Sequence, residues 1–212
     1  MTQKPSLLII GNSNVGKSSI TRLIIPNPRK FKGKIGKTPG STLLIKTINQ
    51  ENLSYKIVDL PGFGYITQSS RRRTEHIKKQ IVIHIEKHYK DYFLGLIVIN
   101  ILRIEDELEK YFIQNKKTIP LSFELVNFLR EFQIPLLLII NKIDKTSRID
   151  KRRIISFFIN SAKNFGLHVV QLNEFNPNNK SYIPLLELSA LKKINISKLK
   201  EIIQMFLNRY VL

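Results

Sequence analysis

The octapeptide Gly11-Asn12-Ser13-Asn14-Val15-Gly16-Lys17-Ser18 restricts this chain more than any other stretch of it. It fits G-x-x-x-x-G-K-[ST], and its setting is the one that pattern needs. The apolar run Ser6 to Ile10 before it reads as a buried strand, and Ser18 to Ile25 after it as a helix stopped by Pro26 and Pro28. In such a turn the glycines let main-chain N–H groups point inward around a phosphate. The N-terminus of the following helix adds partial positive charge. Lys17 is placed to reach β- and γ-phosphates, and the Ser18 hydroxyl to ligate Mg²⁺. The competing reading is a chance match in a structural glycine loop, and the strand and helix on either side weigh against it.

The 212-residue sequence as a whole alternates apolar runs with helical patterns. That order implies an α/β fold with a mostly parallel sheet and helices on both faces, in a single domain spanning residues 1–212. Strands are expected at Thr42 to Ile48, Leu53 to Asp59, Leu94 to Ile99, Pro135 to Ile140, Val169 to Leu172 and Ile183 to Leu188. Helices are expected from Thr74 onward, with Ile77, Ile81, Ile85 and Tyr89 on one apolar face, and at Glu105 to Asn115. Ser122 to Phe132 reads as another, with Leu125, Val126 and Leu129 inward, followed by Ile149 to Phe165. The last is Ile196 to Tyr210, with Leu199, Ile202, Ile203, Phe206 and Tyr210 inward. Residues 27–41, rich in Pro, Gly and Lys, and Pro61 to Arg73 read as loops.

Four further motifs follow the loop in order. Asp59-Leu60-Pro61-Gly62 ends a strand. The aspartate there can hold a magnesium ion through water, and the Gly62 N–H can bond a γ-phosphate and lose it on hydrolysis. Alone the tetrapeptide is only a turn. Asn141-Lys142-Ile143-Asp144 follows an apolar strand. Its Asp144 carboxylate can accept from guanine N1–H and the 2-amino group. Adenine lacks both donors, and sites built on such bonds discriminate by roughly 10⁴ to 10⁵. Asn141 can brace the loop or contact the base, and the Lys142 stem can cover the ring. Leu188-Ser189-Ala190-Leu191 ends the last strand, where the Ala190 amide is positioned for guanine O6. Within Lys37-Thr38-Pro39-Gly40-Ser41-Thr42, Thr42 or Thr38 offers a second hydroxyl to Mg²⁺, and a Pro-Gly β-turn is the structural alternative.

Composition narrows the partners. Lys and Arg number 35 against 16 Asp and Glu, a net charge of +19. Such a field attracts polyanions, so RNA, ribosomes and anionic lipid surfaces are the candidates, with no sequence specificity for DNA implied. There is no cysteine, so disulfides and thiolate metal sites are excluded. No apolar stretch reaches the roughly 18 residues of a membrane span, and no signal peptide is expected at Met1 to Pro5. The expectation is a cytoplasmic monomer.

Three strings resemble the EngB (YihA) family of GTPases: the loop Gly11 to Ser18, Lys37-Thr38-Pro39-Gly40-x-Thr42, and Asp59-Leu60-Pro61-Gly62-Phe63-Gly64-Tyr65. The resemblance runs from Ser6 to the final helix. It implies a Ras-like fold with a six-stranded sheet, one strand antiparallel, and a Mg²⁺-dependent GTP-binding switch in ribosome assembly or in cell division and septation. It implies that Thr42 takes the switch role as a metal ligand with Ser18, and that Lys17, Thr42 and Gly62 serve hydrolysis. Nucleotide contacts carry over to Gly40, Ser41, Thr42, Leu43 and Leu44, to Asp59, Leu60, Pro61 and Gly62, to Asn141, Lys142, Ile143 and Asp144, and to Leu188, Ser189 and Ala190. Two departures point to an archaeal branch. The third motif begins with Asn where bacterial members usually have Thr, and residues 101–120 and 173–182 are longer.

Phe63 stands where Ras-like proteins carry the glutamine that orients water, so slow hydrolysis accelerated by a partner is expected. Asn14 either helps hold K⁺ or stabilises the loop. Lys30, Lys32, Lys34, Lys37, Arg71, Arg72, Arg73, Lys78 and Lys79 either touch ribosomal RNA or form solvated faces. His84 and His88, four apart, read as helix surface unless a third metal ligand joins them. A P-loop ATPase or kinase, an RNA-binding scaffold with structural nucleotide, and the head of a GTP-linked transporter are the rival classes.

Overall fold

Strand β1, Ser6–Gly11, is buried at every residue and sits in the middle of the sheet, where apolar side chains are needed on both faces. A computed structural model of the chain describes residues 4–30, 45–62, 71–113 and 119–211, with the backbone only at residues 30, 71–74 and 111–113. Within these, β1 is followed by α1 (Lys17–Ile24), β2 (Lys46–Ile48), β3 (Lys56–Asp59), α2 (Arg71–His88) and β4 (Tyr92–Asn100). Next come α3 (Ile104–Ile113), α4 (Leu121–Glu131), β5 (Leu136–Asn141), α5 (Arg148–Asn164), β6 (His168–Gln171), β7 (Tyr182–Leu188) and α6 (Ile196–Val211). The α/β class read from the alternation of runs holds, and the boundaries move by a few residues. Two starts move by three residues: α2 begins at Arg71 and not Thr74, and β3 at Lys56 and not Leu53.

The sheet runs β2-β3-β1-β4-β5-β7-β6. All neighbours are parallel except β2, which pairs antiparallel with β3. The period of two divides each central strand between two cores. Leu8, Ile10, Leu138 and Ile140 face α2, α3, α4 and α5, packing with Ile81, Ile85, Phe123 and Phe158. Leu7, Ile9, Leu137 and Ile139 face α1 and α6, packing with Ile20, Ile24, Leu199 and Ile203. Burying these faces is the main stabilising contribution, at about 25 cal/mol per Å² of apolar surface.

The sheet has seven strands among the described residues, where the resemblance implied six. The additional edge strand is β6, in parallel register with β7 from His168↔Tyr182 to Gln171↔Leu185. Parallel neighbours need a crossover of about a dozen residues, usually a helix. Here residues 172–181 make it without one, because α6 holds them down. Phe175 stacks on Phe206 at 6.2 Å. The Arg209 guanidinium donates to Pro177 O at 2.6 Å and to Asn178 Oδ1 at 3.0 Å. Tyr210 does not point into the core as its spacing suggested. It is 46% exposed, and its hydroxyl donates to Lys90 O, because the last turn of α6 reaches beyond the packed face.

Candidate functional site

Parallel strands bring their carboxyl ends to one edge, where ligands of open α/β sheets sit. Gly11, Asp59, Asn100, Asn141 and Leu188 are the last residues of β1, β3, β4, β5 and β7. Four of the five sequence motifs therefore converge here. The fifth, with Gly40, Ser41, Thr42, Leu43 and Leu44 and the rival Thr38, lies outside the described residues, as do Phe63, Gly64 and Tyr65.

The loop between β1 and α1 is shaped by left-handed backbone at Asn14 (φ 61°) and Gly16 (φ 104°). A Cβ on Gly16 would also lie 2.3 Å from Asn141 Nδ2, so glycine is required there by contact as well as by φ. Gly62 has close company of another kind: a Cβ on it would stand 2.7 Å from Ser13 Oγ and 2.8 Å from Ser13 N. The second motif thus presses its backbone against the loop.

Lys17 is only 8% exposed and curls over the loop, with Nζ donating to Gly11 O and Asn12 O, both at 2.9 Å. Burial lowers its pKa to about 8, against the opposing pull of the Asp59 charge. Asp59 is 1% exposed. Burial raises its pKa, with Lys17 and Lys46 pulling the other way. Its Oδ1 has no hydrogen-bond partner among the described residues. A buried carboxylate oxygen without a donor is a costly arrangement unless a cation or water fills the need. The oxygen donors Asp59 and Ser18 suit a hard cation such as Mg²⁺, which keeps several waters and takes few protein ligands. Half-buried Ser18 lies in the first turn of α1, one residue beyond Lys17.

At the other end, Asn141 is 2% exposed and joins two loops. Its Nδ2 donates to Val15 O at 2.8 Å, and its Oδ1 accepts from Ala190 N at 3.1 Å. Of the two roles the sequence left open for Asn141, the structure shows the brace. The Ala190 amide, expected to face guanine O6, is engaged by that same side chain. Lys142 has left-handed backbone (φ 67°), and its Nζ donates to Asn14 O at 2.6 Å. Burial, then Arg103, lowers its pKa. Ile143 is buried and seats the turn Ile143–Lys145. The Asp144 carboxylate accepts from Ser189 Oγ at 2.5 Å, while Ser189 Oγ accepts from Lys192 N at 3.0 Å. Ser189 is fully buried, so it fixes the carboxylate's direction.

This orienting role of Ser189 and the contact from Lys142 to Asn14 were not read from the sequence. No local pattern signals a bond between residues more than 40 or 120 positions apart. Sequence reading also missed a cavity of about 360 Å³ beside the loop, lined by Asn12, Ser13 and Asn14, the end of β4, and Arg103 and Glu107 of the α3 region. The His84 and His88 rings lie 4.8 Å apart and tilted by 42°, with the Tyr92 ring 6.5 Å from His84. No group of three metal-ligating side chains forms there or elsewhere among the described residues. No helix among them is long and apolar enough to cross a membrane.

A family model described as 50S ribosome-binding GTPase matches residues 6–142. A probable GTP-binding protein EngB from Methanococcus aeolicus is 37% identical over 152 residues, covering 71% of this chain and 63% of that protein. A protein of the same description from Pyrococcus abyssi is 31% identical over 196 residues, covering 92% of this chain and 82% of that one. The chain spans less than two thirds of the Methanococcus aeolicus relative and 59% of one from Methanococcus maripaludis. Among solved structures, that of a probable GTP-binding protein engB is similar with a TM-score of 0.72 and 29% identity, covering 96% of this chain and 99% of that chain.

Proposed function

Because this chain belongs to the EngB family of GTP-binding proteins, we propose that it is a Mg²⁺-dependent guanine-nucleotide switch that hydrolyses GTP slowly until a partner assists. It works in the cytoplasm as a one-domain monomer, residues 1–212, in ribosome assembly and through it in cell division and septation. The description of the matching family as ribosome-binding and the net charge of +19 support a ribosomal partner.

One observation carries the guanine reading: Asp144, its direction fixed by Ser189, stands on a loop that Asn141 ties to the phosphate loop. A carboxylate so held accepts from the N1–H and 2-amino group of guanine and has nothing to accept from adenine. A P-loop ATPase or kinase has no need for this arrangement. Leu188, Ser189 and Ala190 close the base end, and the Lys142 stem covers the ring.

At the phosphate end, the amides of Gly11 to Ser18 cradle the β-phosphate, and Lys17 exchanges two neutral carbonyl acceptors for anionic oxygens. Gly62, packed on Ser13, donates its N–H to the γ-phosphate and releases it after hydrolysis. Asp59, through water, Ser18 and Thr42 would hold Mg²⁺, and Gly40, Ser41, Leu43 and Leu44 would contact the nucleotide. Mg²⁺ held there would supply positive charge to the phosphates. Phe63 cannot orient an attacking water, and the cavity beside Asn12 to Asn14 leaves room for a partner's side chain or ion. Comparing hydrolysis in K⁺ and Na⁺ buffers separates a cation-holding role of Asn14 from a loop-stabilising one.

The test is competition between GTP, GDP and ATP for the purified protein, with single-turnover hydrolysis in parallel. The expected result is preference for guanine nucleotides by at least about 10³, with hydrolysis at or below about 10⁻² s⁻¹. Equal binding of ATP, or no nucleotide binding, refutes the reading.

A further inference from the structure

The two loops that close the base end also build a surface of cations. Lys145 ends the turn after Asp144, Arg148 and Arg152 lie one turn apart on α5, and Lys192 and Lys193 follow Ala190. Three bonds hold these segments side by side: Asp144 to Ser189, Lys151 to Glu187 at 2.6 Å, and Asn141 to Ala190. The acids beside the patch direct their contacts to other groups. Glu187 pairs with Lys151. Asp144 takes the Ser189 hydroxyl, and Asp150 takes the Ser147 hydroxyl and Arg153. None of the five cations has an ion pair among the described residues, and all five are at the surface.

The loop that carries two of them is rigidly made. Ser189 and Ile194 exchange both backbone hydrogen bonds, and Asn195 Nδ2 donates to Glu187 O at 2.9 Å. Lys193 and Asn195 adopt left-handed backbone (φ 56° and 60°), which a lysine takes only when its surroundings impose it. Cations on a fixed loop lose little freedom when they meet an anionic surface, so they bind it more tightly than cations on a frayed one.

We propose that this face, formed by Lys145, Arg148, Arg152, Lys192 and Lys193, is a docking surface for the phosphodiester backbone of folded ribosomal RNA that works equally with GDP and GTP bound. The kind of polyanion rests on the ribosomal reading above. The independence from the γ-phosphate does not: the face is built from the base-end loops, and the base is common to both nucleotides. It is therefore a constant anchor.

An anionic membrane is disfavoured by the shape of the apolar surface. Ile149 (79% exposed) and Leu191 (70% exposed) stand among the cations. Beyond Arg152, however, the exposed positions of α5 are Arg153, Ser156, Phe157, Asn160, Lys163 and Asn164, and Phe157, 36% exposed, is the one large apolar side chain among them, too little for a continuous strip to enter lipid.

The experiment measures filter binding of purified ribosomal RNA by the full chain, loaded with GDP or with a non-hydrolysable GTP analogue, across a salt series. The base-end variant carries Arg148→Gln, Arg152→Gln, Lys192→Gln and Lys193→Gln. A control removes the same charge elsewhere, with Lys87→Gln, Lys90→Gln, Arg130→Gln and Lys180→Gln. The base-end variant is expected to bind at least about tenfold more weakly in both nucleotide states. Its slope of log affinity against log salt should fall by about 3, since each lost phosphate contact removes about 0.7 to 0.9. The control should lose less than about threefold. GDP affinity should be equal in all three proteins, which shows that the base pocket is intact. Equal losses in the two variants, no loss in the base-end variant, or a loss confined to one nucleotide state overturns the proposal. So does wild-type binding to phosphatidylglycerol-containing vesicles with none to RNA. If the base-end loss appears as expected but capture of ribosomal subunits never depends on the γ-phosphate, the switch reading fails and the anchor stands.

Discussion

Replacing Asn141 by Ala tests whether the base end and the phosphate end of the site are one unit. The side chain is 2% exposed and makes two hydrogen bonds, to Val15 O at 2.8 Å and from Ala190 N at 3.1 Å. Alanine removes both and leaves the two main-chain groups facing each other across a gap. An unsatisfied buried group costs about 1–3 kcal/mol. Val15 is buried and should sit high in that range, while Ala190 is partly exposed and can recruit water. The expected loss is about 2–4 kcal/mol. For a chain of this size each kcal/mol moves Tm by about 2–4 °C, so thermal unfolding of the apo protein should fall by roughly 5–15 °C. GDP affinity should drop at least about tenfold, because the loops that hold base and phosphate are no longer tied. Asn141→Asp should do no better: it keeps an acceptor for Ala190 but aims a carboxylate at the Val15 carbonyl. A double cycle sharpens the test. A Cβ on Gly16 would meet Asn141 Nδ2 at 2.3 Å, so Gly16→Ala should cost about 1 kcal/mol or more less when Asn141 is already Ala. The left-handed backbone at Gly16 keeps the remaining cost above zero. If Asn141→Ala leaves Tm and GDP affinity unchanged, or the two substitutions are additive, the brace does not carry the site.

Asp144→Asn loses two charge-assisted bonds to guanine, about 3–6 kcal/mol in all, so GTP affinity should fall by about 10² to 10⁴. The new amide can donate to the C2 oxygen of xanthine, so xanthosine diphosphate should bind the variant better than the wild type, and titration calorimetry with both nucleotides checks this. Ser189→Ala frees the Asp144 carboxylate and removes the acceptor for Lys192 N. GDP affinity should weaken by about 3- to 30-fold with Tm little changed, and an unchanged dissociation constant would show that the hydroxyl does not orient the acid. Lys17, whose pKa burial lowers to about 8 from 10.5, gives a pH dependence with a definite sign. The native state releases this proton before the unfolded chain does, so the cost of the buried ammonium is fully present below about pH 8. It is relieved as pH rises toward about 10.5, by at most about 3 kcal/mol. Urea midpoints of the apo protein at about pH 8 and pH 9.5 should show the rise in wild type and not in Lys17→Met.

The one error in the sheet came from analogy and not from the chain's own pattern. Read as apolar runs, the sequence already offered seven strands, Val169 to Leu172 among them, while the family resemblance implied six. A short run such as His168–Gln171 is weak evidence alone, because a lone edge strand forms only if its crossover can be held down. Here Phe206 and Arg209 of α6 do that, and they lie more than 30 positions from the residues they hold.

The α/β alternation, the phosphate loop and the order of the motifs are legible in the order of residues. Each of these is a local matter of periodicity, glycine conformation or a strand followed by a polar turn, and such signals need no knowledge of distant contacts. What the side chains do depends on contacts that exist only after folding. Asn141 could brace or bind, and only folding put it between Val15 and Ala190. Ser189 was a minor member of a minor motif until the register of β7 beside β5 set it against Asp144. The same packing left Asp59 Oδ1 without a donor among the described residues and tied together the segments that carry the five cations of the base end. Residue type fixes which bonds a group can make, but the strand order fixes which groups are near enough to make them.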